Sequence, residues 1–220
     1  MVEILKSLHN IVFPHICVCC GLALEKEDLH ICHVCLSRRF DPPEEFPEIL
    51  PEGIESRIAL WQFDKGGYLQ HLLHCLKYER IAGIGIELGR QLGLKLLERV
   101  SESKPLLIPV PLHHKKERIR GYNQARMIAL GISDRTGWDV IPEMSLIRNR
   151  FTQTQTGLTL EQRNKNLSGS FELKDSKELR DKYPIIVDDV YTTGATTFEL
   201  FATLKSNGFE KTGIATIAQA

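Results

Sequence analysis

Apolar positions change period several times along the chain, and each change predicts an element. Leu69, Leu72, Leu73 and Leu76 recur at i, i+3, i+4 and i+7, the spacing that gathers side chains on one helix face. The same period over Ile86–Val100 predicts a second helix with Leu88, Leu92, Leu96 and Leu97 inward and Arg90, Lys95 and Arg99 outward. Phe198–Ser206 predicts another, stopped by Asn207-Gly208. Short apolar runs between them suit strands: Arg57–Phe63, Leu106–Leu112, Ile185–Val187 and Gly213–Ala218. Pro109 and Pro111 fall where the second run would leave its ladder. A helix from Gly121–Gln124 to about Gly131, a turn over 134–137 and one or two short strands in Trp138–Arg148 complete the pattern. Alternation of this kind predicts an α/β fold.

Two stretches lack any such period. Residues 36–56 carry Pro42, Pro43, Pro47 and Pro51 among acids and read as a stiff linker over 41–56. Arg150–Gly157, RFTQTQTG, has no apolar face, and a polar loop of this kind is uncommon unless functional or disordered. Lys plus Arg equals Asp plus Glu at 28 each, so no overall basic field attracts nucleic acid and such binding would need a local patch. The N-terminus lacks a secretory pattern and no segment approaches a membrane span, which predicts a cytoplasmic protein.

Reduced thiols in that compartment bind metal more often than they pair. Cys17 and Cys20 form one CxxC and Cys32 and Cys35 another, which together can close a four-thiolate site of the structural zinc kind. Cys19, His30 and His33 lie near enough to replace one ligand. A module of residues 1–40 has too little apolar surface to fold unaided, so the metal would supply the difference.

The densest chemistry lies in Pro184–Thr197, PIIVDDVYTTGATT. Asp188 and Asp189 stand where a buried strand would end, followed by Thr192, Thr193, Gly194, Ala195 and Thr196 and then a helix. Strand, small-residue turn and helix start form a phosphate cradle, because the first N–H groups of a helix point at an anion. Neither a Walker loop nor a GxGxxG is present. A second strand end, after LLIPVPL, leads into HHKKERIRGYNQA with Lys115, Lys116, Arg118 and Arg120 in a loop. That run is either a solvated basic surface or an anion site. Its position beside a second strand end favours the latter, since open α/β sheets bind ligands there. Lys77 and Tyr78, closing the first helix, are candidates for the rim of the same pocket.

VDDVYTTGAT resembles the phosphoribosyl pyrophosphate (PRPP) motif of type I phosphoribosyltransferases. Together with the CxxC pairs, Leu76-Lys77-Tyr78, PVPLHHKKERIRGYNQA and Arg163 with Asn166, it resembles the ComF family, whose members join a zinc finger to a phosphoribosyltransferase-like domain and are associated with uptake of transforming DNA. The resemblance implies an open, mainly parallel sheet flanked by helices over 57–220. It implies Asp188 and Asp189 on ribose hydroxyls, Thr192 to Thr196 on the 5′-phosphate, and Lys77, Arg118 and Arg120 on pyrophosphate or nucleic-acid phosphate. Gln155, Arg163 and Asn166 would belong to a hood loop, magnesium would accompany PRPP, and zinc would be structural. Three readings follow: phosphoribosyl transfer to an unnamed acceptor, a non-catalytic platform for single-stranded DNA or competence partners, and a PRPP sensor. Met1-Val2 supplies no N-terminal cysteine for glutamine-dependent ammonia release.

Overall fold

A computed structural model describes residues 15–24, 30–44, 49–149, 169–174, 179 and 181–220. Its strands are β1 (Ile54–Gln62), β2 (Pro105–Pro109), β3 (Asp139–Val140), β4 (Leu146–Arg148), β5 (Phe171–Leu173), β6 (Tyr183–Tyr191) and β7 (Thr212–Gln219). Its helices are α1 (His33–Arg38), α2 (Tyr68–Tyr78), α3 (Ala82–Arg99), α4 (His114–Arg120), α5 (Gln124–Thr136) and α6 (Ala195–Ser206). Five strands pair in the order β1-β7-β6-β2-β3, all parallel, while β4 and β5 form a separate antiparallel ribbon. Within the five-stranded sheet, β1 has β7 as its one neighbour. The open parallel sheet flanked by helices is the fold class expected from the sequence.

Parallel strands covered on both faces read as unbroken apolar runs, and the central strands do. Their side chains alternate between two cores. Leu107, Ile185, Val187, Ala215 and Ile217 face α2, α3 and α5, whereas Leu106, Ile108, Ile186 and Ile214 face α6 and the ribbon. Each fully buried aliphatic side chain here is worth about 1.5–3 kcal/mol relative to exposure. Gly89 and Gly131 meet where α3 crosses α5, and a side chain at Gly89 would strike the Ile128 carbonyl. The small module follows the same logic, since Cys17, Ile31 and Cys35 share a core with Leu69, Leu72 and Leu76 of α2.

Several boundaries differ from expectation. β1 begins at Ile54 and α3 at Ala82. Leu97 is 48% exposed instead of inward, because the buried stripe of α3 runs through Ile84, Leu88, Leu92 and Leu96. The α5 helix runs through the expected turn to Thr136 and stops at Gly137, in left-handed conformation. Lys115 to Arg120 lie on α4 rather than in a loop. The buried His113 starts that helix by accepting from the Lys115 N–H, and left-handed Gly121 ends it. Among the described residues no helix is long and apolar enough to cross a membrane.

Candidate functional site

The carboxyl ends of β6 and β2 lie side by side, so the segments that follow them share one crevice. β6 is buried from Tyr183 to Val187 and becomes half-buried at Asp188 and Asp189. The backbone then turns at Gly194, with φ 71°, and enters α6 without a side-chain cap. Neither Asp189 nor Thr193 caps the helix. Phe198 N–H makes the first helical bond, to Gly194 O at 2.8 Å, so the amides of residues 195–197 precede the intrahelical ladder and are available to an anion. Thr197 is buried and bonds Gly194 O at 2.9 Å, which holds the turn, while Thr192 and Thr193 are exposed and Thr196 half-buried. A β-carbon at Gly194 would strike the Phe198 ring and lie 2.6 Å from the Tyr191 hydroxyl. Gly194→Ala is therefore expected to cost about 1–3 kcal/mol. Thermal melting should fall by roughly 2–12 °C, and an unchanged melting temperature would show that the turn relaxes freely.

Facing the acids is a group of cations. Lys77, in the last turn of α2, pairs with Asp189 Oδ2. Burial pulls the lysine pKa down, but Asp189 outweighs it and the ammonium is held charged. Burial likewise pushes Asp189 up, and Lys77 overcomes that and holds it below the usual carboxylate range. Among the described residues Asp188 forms no ion pair of its own, and the Lys77 charge is a lesser influence on it. Burial and the adjacent Asp189 charge raise it far above that range, although it accepts the Asp189 N–H at 2.9 Å. Arg120 reaches in from α4, its Nη1 bonding Gln124 Oε1 at 2.7 Å and its guanidinium 5.4 Å from the centre of the Tyr78 ring. Burial and the charges of Arg148, Arg120 and Lys77 all depress Lys116, which places four cations around one space. Among these described residues, four cations face two carboxylates, an excess of positive charge. Tyr122 ties its walls together by donating to Leu76 O at 2.5 Å.

Of the residues expected here, the structure brings together Asp188, Asp189, Lys77, Arg120 and the Thr192–Thr196 turn. Arg118 is exposed on α4. Gln155, Arg163 and Asn166 lie outside the described residues. Lys116 and Arg148 were not singled out: Lys116 read as one of several basic residues, and Arg148 was placed in a short strand. Arg148 packs its guanidinium 5.3 Å from the centre of the Phe171 ring on the ribbon and lies near enough to feel the Asp188 charge. An arginine just before a polar, period-free loop was the available signal.

A second centre sits in the N-terminal module. The Sγ atoms of Cys17, Cys20, Cys32 and Cys35 all lie within 4.8 Å of one another, with Cys20 and Cys32 3.7 Å apart. Such spacing suits four bonds of about 2.3 Å to one ion. The Cys32 N–H donates to Cys17 Sγ at 3.3 Å and the Cys35 N–H to Cys32 Sγ at 3.4 Å, contacts that favour thiolates. Burial raises the Cys17 thiol, yet backbone N–H groups of Cys32, Cys20 and Cys19 bring it down to about 7. The donor set therefore fits a metal such as zinc.

No family model matches the chain. It is 33% identical to competence protein F of Haemophilus influenzae, over 94% of this chain and 86% of that one. It is 30% identical to the DNA utilization protein YhgH of Salmonella typhi, over 89% of this chain and 92% of the relative. A solved structure, that of the allosteric regulatory enzyme of purine biosynthesis, matches with a TM-score of 0.37 and 18% identity, over 60% of this chain and 26% of that one. With a third of the residues shared with competence protein F over 94% of the chain, this chain belongs to the ComF family.

Proposed function

We propose that the crevice binds PRPP with magnesium and transfers its phosphoribosyl group to an acceptor, in a protein that serves DNA uptake and carries a structural zinc. The observation that carries this reading is the continuity of β6 into α6. One short segment offers two carboxylates, a left-handed glycine and an open helix N-terminus, opposite Lys77, Lys116 and Arg120.

Asp188 and Asp189 would accept the ribose hydroxyls, and the amides of residues 195–197 would take the 5′-phosphate. The cations would hold the magnesium-bound pyrophosphate as the C1–O bond breaks, balancing charge that develops on the leaving group. Arg148 would stand at the reacting side, where the hood residues Gln155, Arg163 and Asn166 are expected to close. Arg118 would extend the basic rim outside the crevice. The domain limits proposed with this reading are 1–40, 41–56 and 57–220.

Calorimetric titration of PRPP and magnesium into the wild type and into an Asp188→Asn, Asp189→Asn double variant tests it. Binding to the wild type and loss of at least roughly tenfold in affinity in the variant is the expected result, since each charge-assisted hydrogen bond is worth about 1.5–3 kcal/mol. An intact wild type that takes up no PRPP removes the substrate.

One observation favours a second use. Tyr78 is 59% exposed and is flanked by His74, at 4.9 Å between ring centres, and by Arg120, the pairing of aromatic faces with cations that single-stranded DNA employs. Binding of single-stranded DNA that weakens with salt and with Tyr78→Ala would place DNA on this rim.

A further inference from the structure

Glu87 lies far from the crevice, on α3, and is 5% exposed, the one fully buried carboxyl side chain among the described residues. Keeping a carboxylate there is costly, and burial pushes it up to about 7. What it gains is the cysteine module. Its Oε1 and Oε2 share the His30 N–H at 2.9 and 3.0 Å, and the Ile31 backbone lies near enough to favour its charged form. The same short segment joins the two CxxC pairs. His30 O accepts the Val18 N–H at 2.8 Å, next to Cys17, and the Cys32 N–H reaches Cys17 Sγ. The His30 ring packs on α3 over Gly83, where any β-carbon would strike it.

We infer that Glu87 is a positioning residue for the four-cysteine centre, holding the His30–Cys32 segment so that the second CxxC pair meets the first on one metal ion. This rests on the reading of that centre as a zinc site. The mechanism is direct. Removing the carboxylate leaves the inward-facing His30 amide without its acceptor, and the segment must turn toward water to satisfy it. Turning it withdraws Cys32 from Cys17. Glutamine has the shape of glutamate but replaces one acceptor oxygen with an NH2 that donates, so Glu87→Gln disturbs the clamp without opening a cavity. Alanine removes the clamp altogether. Outer partners of metal ligands typically contribute ten- to hundredfold in affinity.

The test is zinc affinity in the full chain, measured by competition with a chromophoric chelator at a temperature where circular dichroism shows an intact fold. Glu87→Gln and Glu87→Ala should each hold zinc at least about tenfold more weakly than the wild type. Arg99→Ala, an exposed change at the far end of the same helix, should not change it. A packing role alone would lower the melting temperature of the variants and leave the affinity of the folded protein where it was. If the wild type holds zinc and both folded variants hold it equally tightly, the inference falls and the zinc reading stands. If the wild type takes up no zinc, both fall. Should the variants fail to fold, hydrogen exchange on the wild type decides. Stripping zinc should release the His30 amide from protection, and unchanged protection overturns the inference.

Discussion

Replacing Asp189 with asparagine is expected to lower the melting temperature, and replacing Asp188 is expected to raise it, although the two residues are adjacent. Asp189 is held below the usual carboxylate range by Lys77 despite burial. Its contribution is therefore present above the unfolded carboxylate pKa of about 3.9 and is lost as pH falls through the depressed folded value. Asp189→Asn also leaves the Lys77 ammonium, 25% exposed, without its partner. Breaking a buried pair costs about 3–5 kcal/mol, and the partial exposure of this one reduces that to about 2–4 kcal/mol, or roughly 4–16 °C of melting temperature.

Asp188 has the opposite sign. Burial and the Asp189 charge raise its pKa in the fold, so ionising it costs stability at every pH above the unfolded value and the cost disappears as pH falls. Asparagine keeps a carbonyl oxygen for the Asp189 N–H and sheds the charge. A gain of a few degrees at pH 8 that vanishes near pH 4 is the expected trace in melting curves recorded across pH. Equal destabilisation by both variants would mean that the pair shares one environment. The stability gained by Asp188→Asn would come at the expense of ligand, because strain of this kind is kept where a site needs it.

Stripping the metal should have the other large effect. Cys17, Ile31 and Cys35 belong to the same core as Leu69, Leu72 and Leu76, and α2 carries Lys77 at its end. Structural zinc supplies folding energy of order 10 kcal/mol in isolated modules, and part of that would reach the body through the shared core once the four cysteines hold the metal. Chelation, or Cys32→Ser, should lower the melting temperature of the whole chain by at least ~5 °C and weaken PRPP binding by several-fold. Calorimetric scans with and without chelator measure the first and titration the second. A body that melts unchanged after the metal is gone would make the module an independent attachment.

The parallel sheet was legible because burial on both faces leaves runs such as Ile185–Val187, and α2 because Leu69, Leu72, Leu73 and Leu76 keep one face. The four-cysteine centre was legible from spacing alone. What stayed hidden depends on partners distant in sequence. Nothing local marks Lys77 as the mate of Asp189, or Glu87 as the acceptor for His30. The α4 segment resembled a loop because most of its side chains are polar and none is buried. Its helix is set by flanking residues: a buried histidine before it and a left-handed glycine after it. Leu97 shows the converse error, an apolar residue at a plausible spacing that falls off the buried stripe by one position.

The pairing of β1 with β7 has a consequence for synthesis. On the ribosome, β1 emerges long before the strand that will cover its edge, and its Ile54, Ala59 and Trp61 have no sheet to join until Thr212–Gln219 follows. Closure of that side of β1 is thus postponed until β7 is made, and the nascent chain carries an open edge while everything between the two strands is translated.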